Sequence, residues 1–215
     1  MKKTITTILL LAIYQFVNAQ LIPEVYESPD IESYVEAHQS IAILPMDVTV
    51  RDMKLRVRKR LSDEEREQLE GEYSKEFQAS VYDWMYKRHQ KGKIKPVLQE
   101  PHITNGLLER QNIFTSSDLS SYPYRQIADM LGVDAIFVGR IITTSTFSKG
   151  GAIAMALILE EDVITGEADV SITLYDGPSA ERVWSYNRVL VSESFNSPER
   201  LVKYMMKRVS RRFPY

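Results

Sequence analysis

His38, His89 and His102 are the three imidazoles of the chain, so a general base, a zinc ligand or an activated nucleophile built on histidine would have to use one of them. They sit in a lead-in segment, at the end of a charged helical pattern and in a proline-flanked loop. None has another His or a Cys at metal-ligand spacing, which reads each as a solvated side chain rather than a ligand. No serine lies in G-x-S-x-G with a histidine in partner context, and nucleophilic hydrolysis has no motif to stand on. Lys149-Gly150-Gly151 is too little for a phosphate-cradling loop. Glu64-Glu65 and Glu160-Glu161-Asp162 fall on charged faces or ends, where solvation accounts for them better than acid–base chemistry. The expectation is a protein that is not an enzyme, with no catalytic residue, no cofactor and no metal.

Binding chemistry has a better candidate. Residues 51–60 (RDMKLRVRKR) alternate Met53, Leu55 and Val57 with Lys54, Arg56 and Arg58, which places the cations on one face of an extended segment. Lys54, Arg56, Arg58, Lys59 and Arg60 form a candidate site for an anionic surface, at about 1 kcal/mol per charge near an anionic membrane. The competing reading is a solvated loop whose cations partly neutralise Asp63, Glu64, Glu65 and Glu67 just downstream.

At the amino end, Met1, Lys2 and Lys3 precede an apolar run from Ile5 to Ile13, and Val17-Asn18-Ala19 offers a small-residue cleavage site before Gln20. That pattern predicts a signal peptide over residues 1–19, with an apolar core too short to stay as a membrane span. Cleavage would leave 196 of the 215 residues, enough for one domain. With no cysteine in the chain, a lipid anchor and disulfides are both excluded from the expectation, so the mature protein is predicted to be periplasmic or secreted. Loss of Lys2 and Lys3 takes the 27 basic residues to 25 against 29 acidic, a net charge of −4, which argues against nucleic acid as a partner.

The elements that must position any site follow in order. Residues 20–39 are polar and broken by Pro23 and Pro29, an arm. Residues 40–45 read as a buried strand ending at a proline. Ser62 and Glu65 make a capping box for a helix over 63–89, whose Leu69, Tyr73, Phe77, Val81, Trp84 and Arg88 form one stripe. Residues 94–98 suit an edge strand because of Pro96, and a short helix is expected over 104–111. Tyr122-Pro123 starts another helix that buries Ile127, Met130 and Leu131 and stops at Gly132 in a left-handed turn. Residues 133–141 are apolar on both faces, the mark of a central strand covered above and below. Residues 152–159 (AIAMALIL) favour helix by propensity, although so short an apolar run also suits a strand. A hairpin turns at residues 176–180 between 170–175 and 182–191, and a last helix begins at Ser197-Pro198-Glu199, with Leu201, Tyr204, Met205 and Val209 along one side.

The junction Ile127-Ala128-Asp129-Met130-Leu131-Gly132-Val133-Asp134-Ala135-Ile136-Phe137-Val138-Gly139-Arg140-Ile141 and the hairpin Leu174-Tyr175-Asp176-Gly177 … Val183-Trp184-Ser185-Tyr186 resemble the periplasmic α/β domain shared by the TolB amino-terminal domain, the curli-secretion subunit CsgG and the penicillin-binding-protein activator LpoB. The ending Arg212-Phe213-Pro214-Tyr215 is similar to exported proteins of Bacteroidetes-type bacteria. The resemblance implies a scaffold for protein contacts in the cell envelope and carries over no catalytic residue. At the junction itself the expected roles are structural. Gly132 supplies the turn, Asp134 accepts hydrogen bonds from loop amides, and Gly139 permits close backbone approach.

The expected fold class is α/β (α+β), a single three-layer-like domain over residues 40–215. It has a mixed sheet of four or five strands flanked by helices, and a C-terminal hairpin followed by a terminal helix. The expected role is a non-catalytic interaction or assembly module of the envelope. Its partners would be unidentified envelope proteins or an anionic membrane surface, with self-association left open. Two alternatives stand beside it. One is a CsgG-like outer-membrane subunit inserting residues 141–159. The other is an envelope hydrolase, which would need a pocket joining Asp or Glu to His102.

Overall fold

A computed structural model describes residues 23–51, 62–143, 166–192, 198–209 and 212–215. The leader, the basic stretch 54–60 and the apolar run 152–159 lie outside the described residues.

One mixed sheet organises the chain. Its strands are β1 (Glu24–Glu27), β2 (Ser40–Ile43), β3 (Asp47–Val50), β4 (Val97–Gln99), β5 (Ala135–Thr143), β6 (Gly166–Asp176) and β7 (Arg182–Ser192). The order is β1-β7-β6-β5-β2-β4, and β3 pairs with β5 beyond the end of β2. β5 runs parallel to β2 and β3, whereas β5–β6, β6–β7 and β7–β1 are antiparallel. The class is as expected, but the sheet has seven strands rather than four or five. The additional ones are β1, inside the segment read as an arm, and β3, each only four residues long. Strands that short carry little periodicity, and Pro23 and Pro29 flank β1 without entering it.

Two helices cover one side of the sheet. α2 (Asp63–His89) begins at the expected capping box, Ser62 Oγ accepting from Glu65 N–H while the Glu65 carboxylate accepts from Ser62 N–H. It buries Leu69, Tyr73, Phe77, Val81 and Met85. Met85 replaces Trp84 in the deep position, and Trp84 instead carries the Arg88 guanidinium 4.3 Å above its ring. α6 (Pro198–Val209) adds Leu201, Val202, Met205, Met206 and Val209, and Phe213 packs edge-on against Trp184. Each fully buried large side chain here contributes about 1.5–3 kcal/mol.

The opposite side carries α3 (Pro101–Glu109), α4 (Ser116–Leu119) and α5 (Tyr124–Leu131) over a second cluster that includes Leu108, Ile127, Leu131 and Ile136. α3 starts at Pro101, earlier than the expected Thr104, because proline serves its first turn without loss. Pro123 is the N-cap of α5, and Gly132 ends that helix at φ 65°. α1 (Ile31–Ala37) leads from β1 towards β2.

Among the described residues this second layer covers only part of the sheet. β5 is central, and its first residues are buried on both sides, but Val138 and Ile142 are half-buried and Arg140 is exposed. The expectation of full enclosure is therefore corrected for the second half of the strand. Among the described residues the second cluster contains nothing from β7 or β1, and none of them covers one face of the β5-β6-β7-β1 half of the sheet.

Candidate functional site

The open half-face forms the floor of a groove of about 630 Å³. Val138, Arg140 and Ile142 come from β5, Asp169, Ser171, Thr173 and Tyr175 from β6, and Asn187 from β7. These residues share a face because alternate strand residues point the same way. Ser116 of α4, Ser120 at its C-cap and Tyr124 of α5 make one wall, while Asp47 and Glu24 mark two ends. Thr115 and Asp118 form a reciprocal capping box that fixes the start of α4. Asp118 is held below the usual carboxylate range, chiefly by hydrogen bonds from the backbone N–H groups of Phe114 and Thr115.

Within the groove, Arg140 Nε donates to Asp47 Oδ2 at 2.7 Å and Ser171 Oγ donates to Asn187 Oδ1 at 2.6 Å. Tyr124 stacks on Tyr175 with ring centroids 3.9 Å apart. Burial first, then the neighbouring Tyr175, pushes the Tyr124 phenol up to about 12. The floor presents hydroxyl, amide and carboxylate groups beside half-buried apolar surface, a combination that binds polar chains by hydrogen bonds and packs their apolar stems.

The candidate site residues read from the sequence, Lys54, Arg56, Arg58, Lys59 and Arg60, lie outside the described residues, so no position is assigned to them. The histidines separate. His102 is exposed, with Nδ1 3.2 Å from Glu100, and does not line the groove. His89 donates through Nδ1 to the Ile94 carbonyl at 2.9 Å.

His38 corrects the expectation of a solvated ring: it is 3% exposed. Its Nε2–H donates to Asp176 Oδ1 at 2.9 Å, and the Tyr215 hydroxyl donates to Nδ1 at 2.5 Å. The tautomer follows from the carboxylate, which can only accept. Asp176 Oδ2 also accepts from the Ser179 N–H at 2.8 Å and the Ser179 hydroxyl at 2.6 Å. Burial acts to raise the Asp176 carboxyl, but the hydrogen bonds from Ser179 and His38 outweigh it and leave it below the usual range. Both ring nitrogens are occupied, so this trio ties the turn after β6 to Tyr215. Nothing local marks His38 in sequence, since its partners are 138 and 177 residues away.

Gly132 and Asp134 do as expected, whereas what comes close to Gly139 is the side chain of Met46 rather than backbone. Asp134 Oδ2 accepts from Gln39 N–H, Ser40 N–H and the Ser40 hydroxyl at 2.8–3.0 Å. At Gly139 an added Cβ would fall 2.2 Å from Met46 Sδ.

Fold and groove together define a mixed α/β domain with helices on both faces of one sheet, one of those layers covering only half its face among the described residues. No family model matches the sequence, and no curated protein matches it. Among solved structures the chain is similar to lipoprotein GNA1162 from Neisseria meningitidis, with 12% identity over 80% of this chain and 96% of that one, at a TM-score of 0.48. A PelC dodecamer from Paraburkholderia phytofirmans matches with 10% identity over 88% and 96%, at 0.40. The LpoB C-terminal domain from Salmonella enterica matches with 9% identity over 76% and 94%, at 0.36.

Proposed function

We propose that this chain is an exported, non-catalytic interaction or assembly module of the bacterial cell envelope that engages its partner through the open half of its sheet. The reading is carried by the asymmetry of the two layers. α2 and α6 bury one face of the sheet, whereas among the described residues no helix lies over the other face of β6, β7 and β1, which includes the half-exposed Val191. An uncovered sheet face presents rows of side chains whose spacing the strands fix, a surface on which a partner can dock. The non-catalytic part follows the sequence motifs, and among the described residues the groove's lining pairs no hydroxyl with a histidine and commits its guanidinium to Asp47. The leader-like residues 1–19 support export. Among the described residues no helix is long and apolar enough to cross a membrane.

The test is in-cell photo-crosslinking in the native host, with the reactive side chain placed at Asn187 or Val191 on the open face and at Asp83 on α2. Discrete adducts at the first two positions and none at Asp83 are expected. Equal adducts at all three, or none on the open face, would refute the assignment.

A further inference from the structure

Five residues from five strands form one line across the open face. Glu24, Asn187, Ser171, Arg140 and Asp47 are successive register partners on β1, β7, β6, β5 and β3. At about 4.8 Å between neighbouring strands the line runs about 19 Å. All five line the groove, and Asp169 stands beside them on β6.

The charge of this line is unbalanced. Among the described residues the lining holds three carboxylates, Glu24, Asp47 and Asp169, against the single guanidinium of Arg140, which Asp47 already engages. Glu24 and Asp169 have no ion pair among the described residues. Between them lie Ser171 and Asn187, already bonded to each other, and half-buried Ile142 stands opposite Asp169 on β5.

We infer that the groove receives an extended, basic segment of a partner protein, lysine or arginine heads meeting Glu24 and Asp169 while their stems lie on Val138 and Ile142. The inference rests on the open face being the interaction surface. Long cationic side chains pack apolar stems on a surface and leave the head group for a carboxylate. The same charges repel acidic partners and accelerate encounter with basic ones, an effect that salt screens at this half-open surface.

The test uses a fluorescent peptide alternating lysine and serine, its glutamate–serine counterpart and the purified exported chain. Binding of the lysine peptide is expected, weakened by salt and at least tenfold by the double substitution Glu24→Gln/Asp169→Asn. Asp83→Asn/Glu199→Gln, on the helices of the other face, should leave it unchanged. Charge reversal, Glu24→Lys/Asp169→Lys, should transfer preference to the glutamate peptide, a gain that misfolding cannot mimic. Equal losses in both amide pairs, failure to bind the lysine peptide, or binding of an uncharged oligosaccharide that ignores Glu24 and Asp169 would overturn the inference. Adducts at Asn187 without lysine-peptide binding would sink this inference and leave the open face standing as the interaction surface.

Discussion

The imidazole of His38 meets the carboxylate of Asp176 at 2.9 Å, the two side chains being only 1% and 9% exposed. The same carboxylate receives two hydrogen bonds from Ser179, and His38 in turn receives the Tyr215 hydroxyl. Three distant parts of the chain therefore close on one buried polar network, which stabilises the fold only while every member is satisfied.

Asp176→Asn should destabilise the protein by about 2–3 kcal/mol at neutral pH, because charge-assisted hydrogen bonds are replaced by weaker ones in a buried setting. The folded carboxyl is depressed, so its contribution is fully present above the unfolded value of about 4 and is lost as pH falls through the folded value. Urea unfolding of both proteins at neutral and acidic pH checks this. The gap between them should close in acid, and a gap independent of pH would contradict the assignment.

Gly177 sits where β6 leaves the sheet, and its N–H donates to the Asp134 carbonyl at 2.7 Å. An added Cβ would fall 2.9 Å from the carbonyl oxygens of both Val133 and Asp134. Backbone cannot rotate aside as a side chain can, so Gly177→Ala should cost about 1–3 kcal/mol. A denaturation midpoint unchanged from the parent would show that the turn has room.

The outer edge of β3 is closed by side chains of α2. Glu70 Oε1 accepts from Val50 N–H at 2.7 Å, and Arg66 Nη1 donates to Val50 O at 2.7 Å. Glu70→Ala should leave that buried amide unpaired and cost about 1–3 kcal/mol, with Glu70→Gln retaining most of the stability. Hydrogen exchange at Val50 should accelerate in the alanine variant alone.

Tyr124 should ionise near 12, since burial opposes the phenolate. A phenol raised in the folded state contributes stability that declines as pH climbs from about 10 towards that value. The difference in alkaline ultraviolet titration between the parent and Tyr124→Phe isolates this group. A difference curve centred near 10 would place Tyr124 in water rather than against Tyr175.

What the sequence determined by itself was local. The capping box at Ser62 and Glu65 sets the start of α2, Gly132 stops α5, and residues 176–180 make the turn between β6 and β7, because caps and turns depend on residues a few positions apart. The alternation of Asp169, Ser171 and Thr173 with Val170, Ile172 and Leu174 is also legible and marks β6 as open on one side. Only the tertiary structure decided that Glu24, Asn187, Ser171, Arg140 and Asp47 stand in one line, and that His38 is buried against Asp176. Strand order and register join residues with no fixed spacing along the chain, so no periodicity encodes which side chains become neighbours.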